Sequence, residues 1–277
     1  MTHFAPASVT AFFSPFYSES PLTTGSLGLG ITLKRGVRAR VKKERMVRVN
    51  GKVFEFKTLE TLFEKLTFRG GVEIEAEVPI GCGFGFSGAA CLATAFEIND
   101  RMGLGKSPLE LADVSHECEV LSSTGLGDVV CQYHGGVVLR KKAGSPSLAE
   151  VERYAFDGRL SFLVLGPIST KKVLGDEEIV RRIQSLGLEA VRKFPLDPSL
   201  ENLFRLSKEF AVKTGLMDEE LAEIVKEIEK RGFLASMVML GKAIFSTCPA
   251  ELLEEYGEYG SAFSSEISNV GVSRIRI

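Results

Sequence analysis

Pro79-Ile80-Gly81-Cys82-Gly83-Phe84-Gly85-Phe86-Ser87-Gly88-Ala89-Ala90 is the stretch whose reading decides how this chain folds. Gly81, Gly83 and Gly85 alternate with single residues, and Ser87 leads through small residues into an apolar stretch of helical character. A loop of this kind lets backbone N–H groups approach a ligand closely. The helix behind it starts with donors that have no partner within the helix and with the positive end of its dipole. A phosphate suits that combination. The bland alternative is a glycine-rich turn that merely lets a helix pack closely.

Gly83-Phe84-Gly85-Phe86-Ser87-Gly88 fits the G-x-G-x-x-G pattern of dinucleotide sites. Such a site needs a buried parallel strand before the loop and a second strand ending in an acid about twenty residues on. Here residues 71–79 place Val72, Ile74, Ala76 and Val78 on one face and Glu73, Glu75 and Glu77 on the other. That is the pattern of a half-exposed antiparallel strand, and the first helix leads into another helix rather than into a strand. A Walker A loop fares no better. Gly105-Lys106-Ser107 has its ending, but Asp100 stands where the first glycine belongs and Pro108 comes next.

The 277 residues suffice for one large domain or two lobes. A hydrophobic share of 44% and a charged share of 25% are those of a globular protein, and a net charge of −2 argues against a nucleic-acid partner. Cys82, Cys91, Cys118, Cys131 and Cys248 form no C-x-x-C pair, which fits reduced thiols rather than disulfides or a zinc site. Lys42-Lys43-Glu44-Arg45 has no interleaved aromatics and reads as a solvated connection. The opening residues lack the basic start and apolar core of a secretory signal, and no apolar run is long enough to span a bilayer. The expectation is a cytoplasmic protein with no membrane partner.

Residues 4–13 read as a short strand with a turn, and alternation predicts strands over 31–41 and 46–56, with Asn50-Gly51 as a hairpin turn. Residues 14–30, rich in Ser, Thr, Pro and Gly, are expected to form a loop. Helices are expected over 58–66, over 87–102, and from Pro108 to Leu121 with Ser107 as N-cap. Residues 136–140 and 154–165 read as strands on either side of a linker-like stretch, 141–147. Helical spacing covers 177–192, 199–214 and 218–230, and a strand closes the chain near 270–277. The order predicts an α+β protein of two lobes, residues 1–150 and 151–277.

The glycine loop resembles the P-x-G-x-G-L-G-S-S-A-A loop of the GHMP kinases, with Phe84, Phe86 and Gly88 replacing Leu, the first Ser and the first Ala. Gly125-Leu126-Gly127-Asp128, followed by Gly135-Gly136, is similar to the family segment that bears the catalytic aspartate. Pro6-Ala7-Ser8-Val9-Thr10 sits where the first family motif begins, and Ala235-Ser236-Met237-Val238-Met239-Leu240-Gly241 faintly resembles the third. The resemblance implies the GHMP kinase fold, with a ribosomal S5 domain 2-like N-terminal lobe and a ferredoxin-like C-terminal lobe. It also implies ATP and Mg²⁺ as cofactors.

Phe12-Phe13-Ser14-Pro15 and Thr24-Gly25-Ser26-Leu27-Gly28-Leu29-Gly30 look most like the archaeal branch of the family that phosphorylates pantoate for coenzyme A synthesis. That implies a small-molecule partner, pantoate, and a homodimer is the candidate assembly. Another small alcohol, such as homoserine or mevalonate, is the alternative acceptor. A catalytically silent ligand-binding protein is the alternative of a different class.

By this resemblance Pro79, Gly81, Gly83, Phe84, Gly85, Phe86, Ser87, Gly88 and Ala89 cradle the nucleotide phosphates, and Ser87 is a Mg²⁺ ligand. Glu117 and Glu119 compete for the carboxylate that magnesium needs beside one hydroxyl. On a helical wheel Leu111, Val114, Cys118 and Leu121 form the core stripe. Glu110, Asp113 and Glu117 make an acidic row, whereas Glu119 shares a flank with Ala112, Ser115 and His116; Glu119 is preferred. Asp128 is the expected catalytic base or hydroxyl-positioning residue, with a turn or cap role as its bland alternative. A carboxylate-bearing acceptor calls for an arginine, and Arg140 is the candidate. Ser26, His116 and Thr170 complete the substrate-binding candidates, His116 being equally readable as a structural histidine. Some relatives carry a lysine in the first motif that assists the base; residues 6–15 contain none.

Overall fold

A computed structural model describes residues 2–168 and 177–275. Two long strands, β1 (Thr2–Phe16) and β2 (Gly25–Lys42), pair antiparallel along most of their length. The far edge of β2 is shared. Its second half pairs with β5 (Gly71–Ala76), and its first half with β6 (Val137–Lys142), which continues to β7 (Glu150–Tyr154). The short strands β3 (Val47–Val49) and β4 (Lys52–Val53) extend the β5 side, β3 running parallel to β5. A return strand, β12 (Ser273–Ile275), adds to the outer edge of β1. The second sheet has the order β11 (Ser261–Glu266), β8 (Arg159–Pro167), β10 (Gly241–Ser246), β9 (Ala235–Met237) and is antiparallel throughout.

Helices α1 (Lys57–Lys65), α2 (Phe86–Met102), α3 (Pro108–Ser122) and α4 (Asp128–His134) belong to the first half of the chain. Helices α5 (Glu177–Lys193), α6 (Leu200–Thr214), α7 (Glu219–Lys230) and α8 (Ala250–Glu254) belong to the second. β1 is sandwiched, with α2 and α4 as well as α5 and α6 packed against it. Ala5, Ala7, Val9, Ala11 and Phe12 on both of its faces are therefore fully buried, which is why its sequence is short of polar alternation. α2 is buried nearly all round, and its run of alanines allows close approach to β1, β2 and α3.

Several sequence expectations change here. Residues 14–30 are not one loop: β1 runs on to Phe16 and β2 begins at Gly25. The glycines serve contact rather than flexibility. A Cβ at Gly28 would lie 2.3 Å from the Phe12 carbonyl oxygen, and one at Gly30 would lie 2.4 Å from Cys131 Sγ. The strand expected over 154–165 is two strands, β7 and β8. On α3, Leu111 and Cys118 of the apolar stripe are buried together with Ser115, His116 and Glu119 of the flank, whereas Leu121 is 47% exposed, so the covered face is wider than the stripe and stops short of its last residue. The local signals at Ser107 hold: its side chain accepts from the Glu110 amide in a full capping box. Asn50 and Gly51 both take positive φ, as the tight turn between β3 and β4 requires.

Phe86, an unexpected residue for its place in the loop, is a packing anchor. Its ring stacks on Phe56 at 5.5 Å and meets Phe54 edge-on at 6.4 Å, clamping the start of α2 to the start of α1. Truncating a buried phenylalanine costs about 3–5 kcal/mol. Phe86→Ala should accordingly lose about 3 kcal/mol in equilibrium urea denaturation. A loss below about 1 kcal/mol would mean that the stack does not hold the helix.

Candidate active site

The glycine loop alternates in the structure as it does in sequence. Gly81, Gly83 and Gly85 have φ of 77°, 83° and 60°, a left-handed series that side chains resist. Cys82 and Phe84 between them, and Phe86 after the third, point inward and are all buried. Phe84 lies against Phe162 at 5.3 Å and Phe263 at 5.4 Å, which fastens the loop to the second sheet. The faint third motif supports the loop from behind. A Cβ at Gly83 would meet Val238 and Met239, and one at Gly241 would meet the Cys82 carbonyl. α2 then begins at Gly85 with no side-chain cap, in contrast to the capped starts of α3, α6 and α7. Its first-turn N–H groups are left to a ligand at the mouth of the loop. Pro79 is half-buried and Gly81 exposed, whereas Gly88 and Ala89 are buried and pack the first turn of α2.

Ser87 and Glu119 meet. Ser87 Oγ donates to Glu119 Oε1 at 2.5 Å, and Thr124 Oγ1 donates to the same oxygen at 2.6 Å. Thr58 Oγ1 bridges Ser87 Oγ at 3.2 Å and Thr124 Oγ1 at 3.0 Å. Glu117 points elsewhere, forming an ion pair with Lys65 of α1 at 2.8 Å. Glu119 Oε2 and Asp128 Oδ2 flank Gly125 from two sides: a Cβ there would lie 2.2 Å from the first and 3.6 Å from the second. The turn that carries Gly125 thus brings the two carboxylates into one small space.

Asp128 opens α4 and accepts a hydrogen bond from Ser8 Oγ at 2.8 Å. Burial raises its pKa, while the Ser8 bond and the Arg140 charge pull it down. Burial pushes Glu119 up to about 7, against the pull of the Ser87 and Thr124 hydroxyls and with a smaller push from the Asp128 charge. Arg140, expected at an exposed strand end or in a pocket, is 2% exposed on β6. Its guanidinium donates to the Ser26 carbonyl at 3.0 Å, to Ser26 Oγ at 3.3 Å and to Cys131 Sγ at 2.6 Å. His116 is buried on the flank of Glu119 and pairs through Nε2 with the Thr24 carbonyl at 2.8 Å. Burial lowers its pKa, so the neutral ring is favoured. Through Thr24 it steadies the entry to β2 next to Ser26. Thr170 lies outside the described residues.

Four polar residues at this centre escape a reading of the sequence: Ser8, Thr58, Thr124 and Gln132. Gln132 comes one helical turn after Asp128, a spacing that a sequence reading could use. Ser8 lies within the first motif. Nothing in the sequence singles out Thr58, which reaches the site only because α1 packs beside α2 and α3.

Residues 53–136 match the model for the GHMP kinases N terminal domain. A solved structure described as a phosphotransferase related to the CoA biosynthesis pathway is similar at 32% identity and a TM-score of 0.86, covering 99% of this chain and 98% of its own. The chain belongs to the GHMP kinase family. Within that family it is 36% identical to a pantoate kinase of Thermococcus kodakarensis, over 91% of this chain and 89% of the relative. It is 34% identical to a pantoate kinase of Methanocaldococcus jannaschii, over 91% and 94% respectively. The fold is the two-lobed GHMP kinase fold, and no described helix is long and apolar enough to cross a membrane.

The buried Glu119 has a measurable consequence. Its folded pKa of about 7 lies above the ordinary 4.5, so the native state holds the proton more tightly than the unfolded chain. Stability from that proton is full below the unfolded pKa and is lost as pH rises through the folded one. In metal-free buffer the melting temperature should fall by roughly 5 °C between about pH 5 and about pH 8. Glu119→Gln should remove most of that fall in calorimetry. An unchanged fall in the variant would locate the titration elsewhere.

Proposed function

We propose that this protein transfers the γ-phosphoryl group of ATP to the hydroxyl of pantoate, giving 4-phosphopantoate. The observation that carries the reading is the meeting of Ser87, Glu119 and Asp128 around Gly125, at the uncapped start of α2. Relatives named pantoate kinase that span nearly the whole chain support the choice of acceptor.

The donor set suits magnesium. Ser87 Oγ and the Glu119 carboxylate are hard oxygen ligands, and Mg²⁺ usually takes one or two protein oxygens and keeps its waters. A buried carboxyl whose pKa is raised, with hydroxyls as its close donors among the described residues, is also what a cation would stabilise in the charged form. Ser87 and Glu119 would hold the ion, and MgATP when bound supplies the phosphoryl group and neutralises its charge. The amides of the loop from Gly81 to Gly88 orient the phosphates, helped by the dipole of α2.

Asp128 accepts the acceptor hydroxyl's hydrogen and directs its oxygen at the phosphorus. Arg140, after the Ser8 hydrogen bond, counters the rise that burial gives the Asp128 pKa. Together with Ser26 it offers the positive wall that an acid such as pantoate needs. His116 neighbours this wall through the Thr24–Ser26 segment.

Incubation with MgATP and, in turn, pantoate, homoserine and mevalonate tests the acceptor. ADP release should be fast with pantoate and at background with the other two. Release with homoserine or mevalonate alone would overturn the assignment, and none with any acceptor would favour a silent ligand-binding protein. Asp128→Asn should lower kcat by about 10²-fold or more and leave both KM values nearly unchanged, as expected for a group acting in the transition state. Near-normal turnover would remove Asp128 from the chemistry.

A further inference from the structure

We propose that Ser8 and Gln132 are positioning residues for Asp128, setting its carboxylate against the acceptor hydroxyl and tying that setting to the phosphate loop. This rests on the kinase reading above. Asp128 and Gln132 are four residues apart on α4, so their side chains leave the same face. Gln132 is fully buried, and its amide nitrogen donates to the Gly85 carbonyl at 2.8 Å and to Ser8 Oγ at 3.1 Å. A carbonyl oxygen only accepts, so the atom facing Gly85 must be the amide nitrogen, and this fixes the orientation of the amide. Ser8 therefore accepts from Gln132 and sends its own hydrogen to Asp128 Oδ1 at 2.8 Å. The relay has one direction, from Gln132 through Ser8 to Asp128.

The relay has two ends that matter. At one end it occupies Oδ1, and Oδ2 is the oxygen on the Gly125 side, where Glu119 also faces. The last torsion of an aspartate is broad, so without Ser8 the carboxylate plane could turn away from that side. At the other end it holds the peptide of Gly85, the left-handed residue from which α2 begins. A shift of the loop would thus be felt at Asp128 through one amide.

Packing alone does not account for an amide at 132. Gln132 Oε1 is buried with no hydrogen-bond partner among the described residues, and an apolar side chain of similar size would fill the space without such an acceptor. The same oxygen explains Gly88, where a Cβ would lie 2.8 Å from it. An ammonium group is not needed at this position for Asp128 to be held. Arg140 supplies the nearby positive charge, and β1 contributes the neutral donor, Ser8.

The test is a double-mutant cycle of Ser8→Ala and Gln132→Met, read as kcat and as KM for MgATP and acceptor. Ser8→Ala should lower kcat by about tenfold or more with both KM values within about twofold. Gln132→Met should match that loss and also raise KM for MgATP, because it frees Gly85. The double variant should be no slower than Gln132→Met, since both changes break one relay. A kcat for Ser8→Ala within about twofold of the unaltered protein would overturn the proposal, as would losses that multiply in the double variant. Should Gln132→Met fail to fold, Ser8→Ala decides alone.

If the unaltered protein uses an alcohol other than pantoate, the variants are assayed with that alcohol, which separates the relay from the acceptor. The side-chain ¹⁵N amide signals of Gln132 read the relay with no acceptor present. They should shift in Ser8→Ala, and unshifted signals would count against it.

Discussion

The architecture of the site hangs on how one loop is anchored. A chain segment with three left-handed glycines in alternation has little intrinsic order, because glycine loses the most conformational freedom on folding. Order comes from the residues between the glycines. Phe84 is sunk among the aromatics of the second sheet, and Phe86 into the aromatic stack at the start of α1. Backbone groups that face outward are thus held by side chains that face inward. The turn around Gly241 closes the back of the loop by touching it backbone to backbone. The motif that looks degraded in sequence is, in space, a support for the one that is not.

The second constraint is electrostatic. Two carboxyl groups share one small buried space, and the medium between them is poor at screening their repulsion. The protein surrounds them with neutral donors, Ser87 and Thr124 on Glu119 and Ser8 on Asp128, and sets Arg140 behind the latter. The asymmetry is chemical. Asp128 has a cationic neighbour, Arg140, whereas the close donors to Glu119 among the described residues are hydroxyls, and burial raises the pKa of both.

The sequence carried the loop, the alternation of β5, the capped start of α3 and the pairing of a glycine-bearing turn with Asp128. Each of these is a local pattern, written in neighbours or in residues one helical turn apart. That Glu119 rather than Glu117 lies beside Ser87 was also within reach, because a flank of small residues differs from an acidic row. What misled was composition. The glycines of residues 25–30 look like a loop, yet they allow β2 to lie tightly against β1 and Cys131. Leu121 looks like core, yet it is exposed at the end of α3, while Leu111 and Cys118 of its stripe are buried along with the small and polar flank.

By itself the sequence determined that a glycine-rich turn opens a helix, that a carboxylate stands on a later turn, and that the chain has the motifs of one kinase family. Those properties depend on local spacing and on glycine's freedom at positive φ. The tertiary structure decided which groups stand together: Thr58 beside Ser87, Ser8 between Gln132 and Asp128, Arg140 buried rather than at an exposed strand end. These pairings join residues 29 to 124 positions apart, and only the packing of helices on the long β1–β2 pair brings them within hydrogen-bond reach.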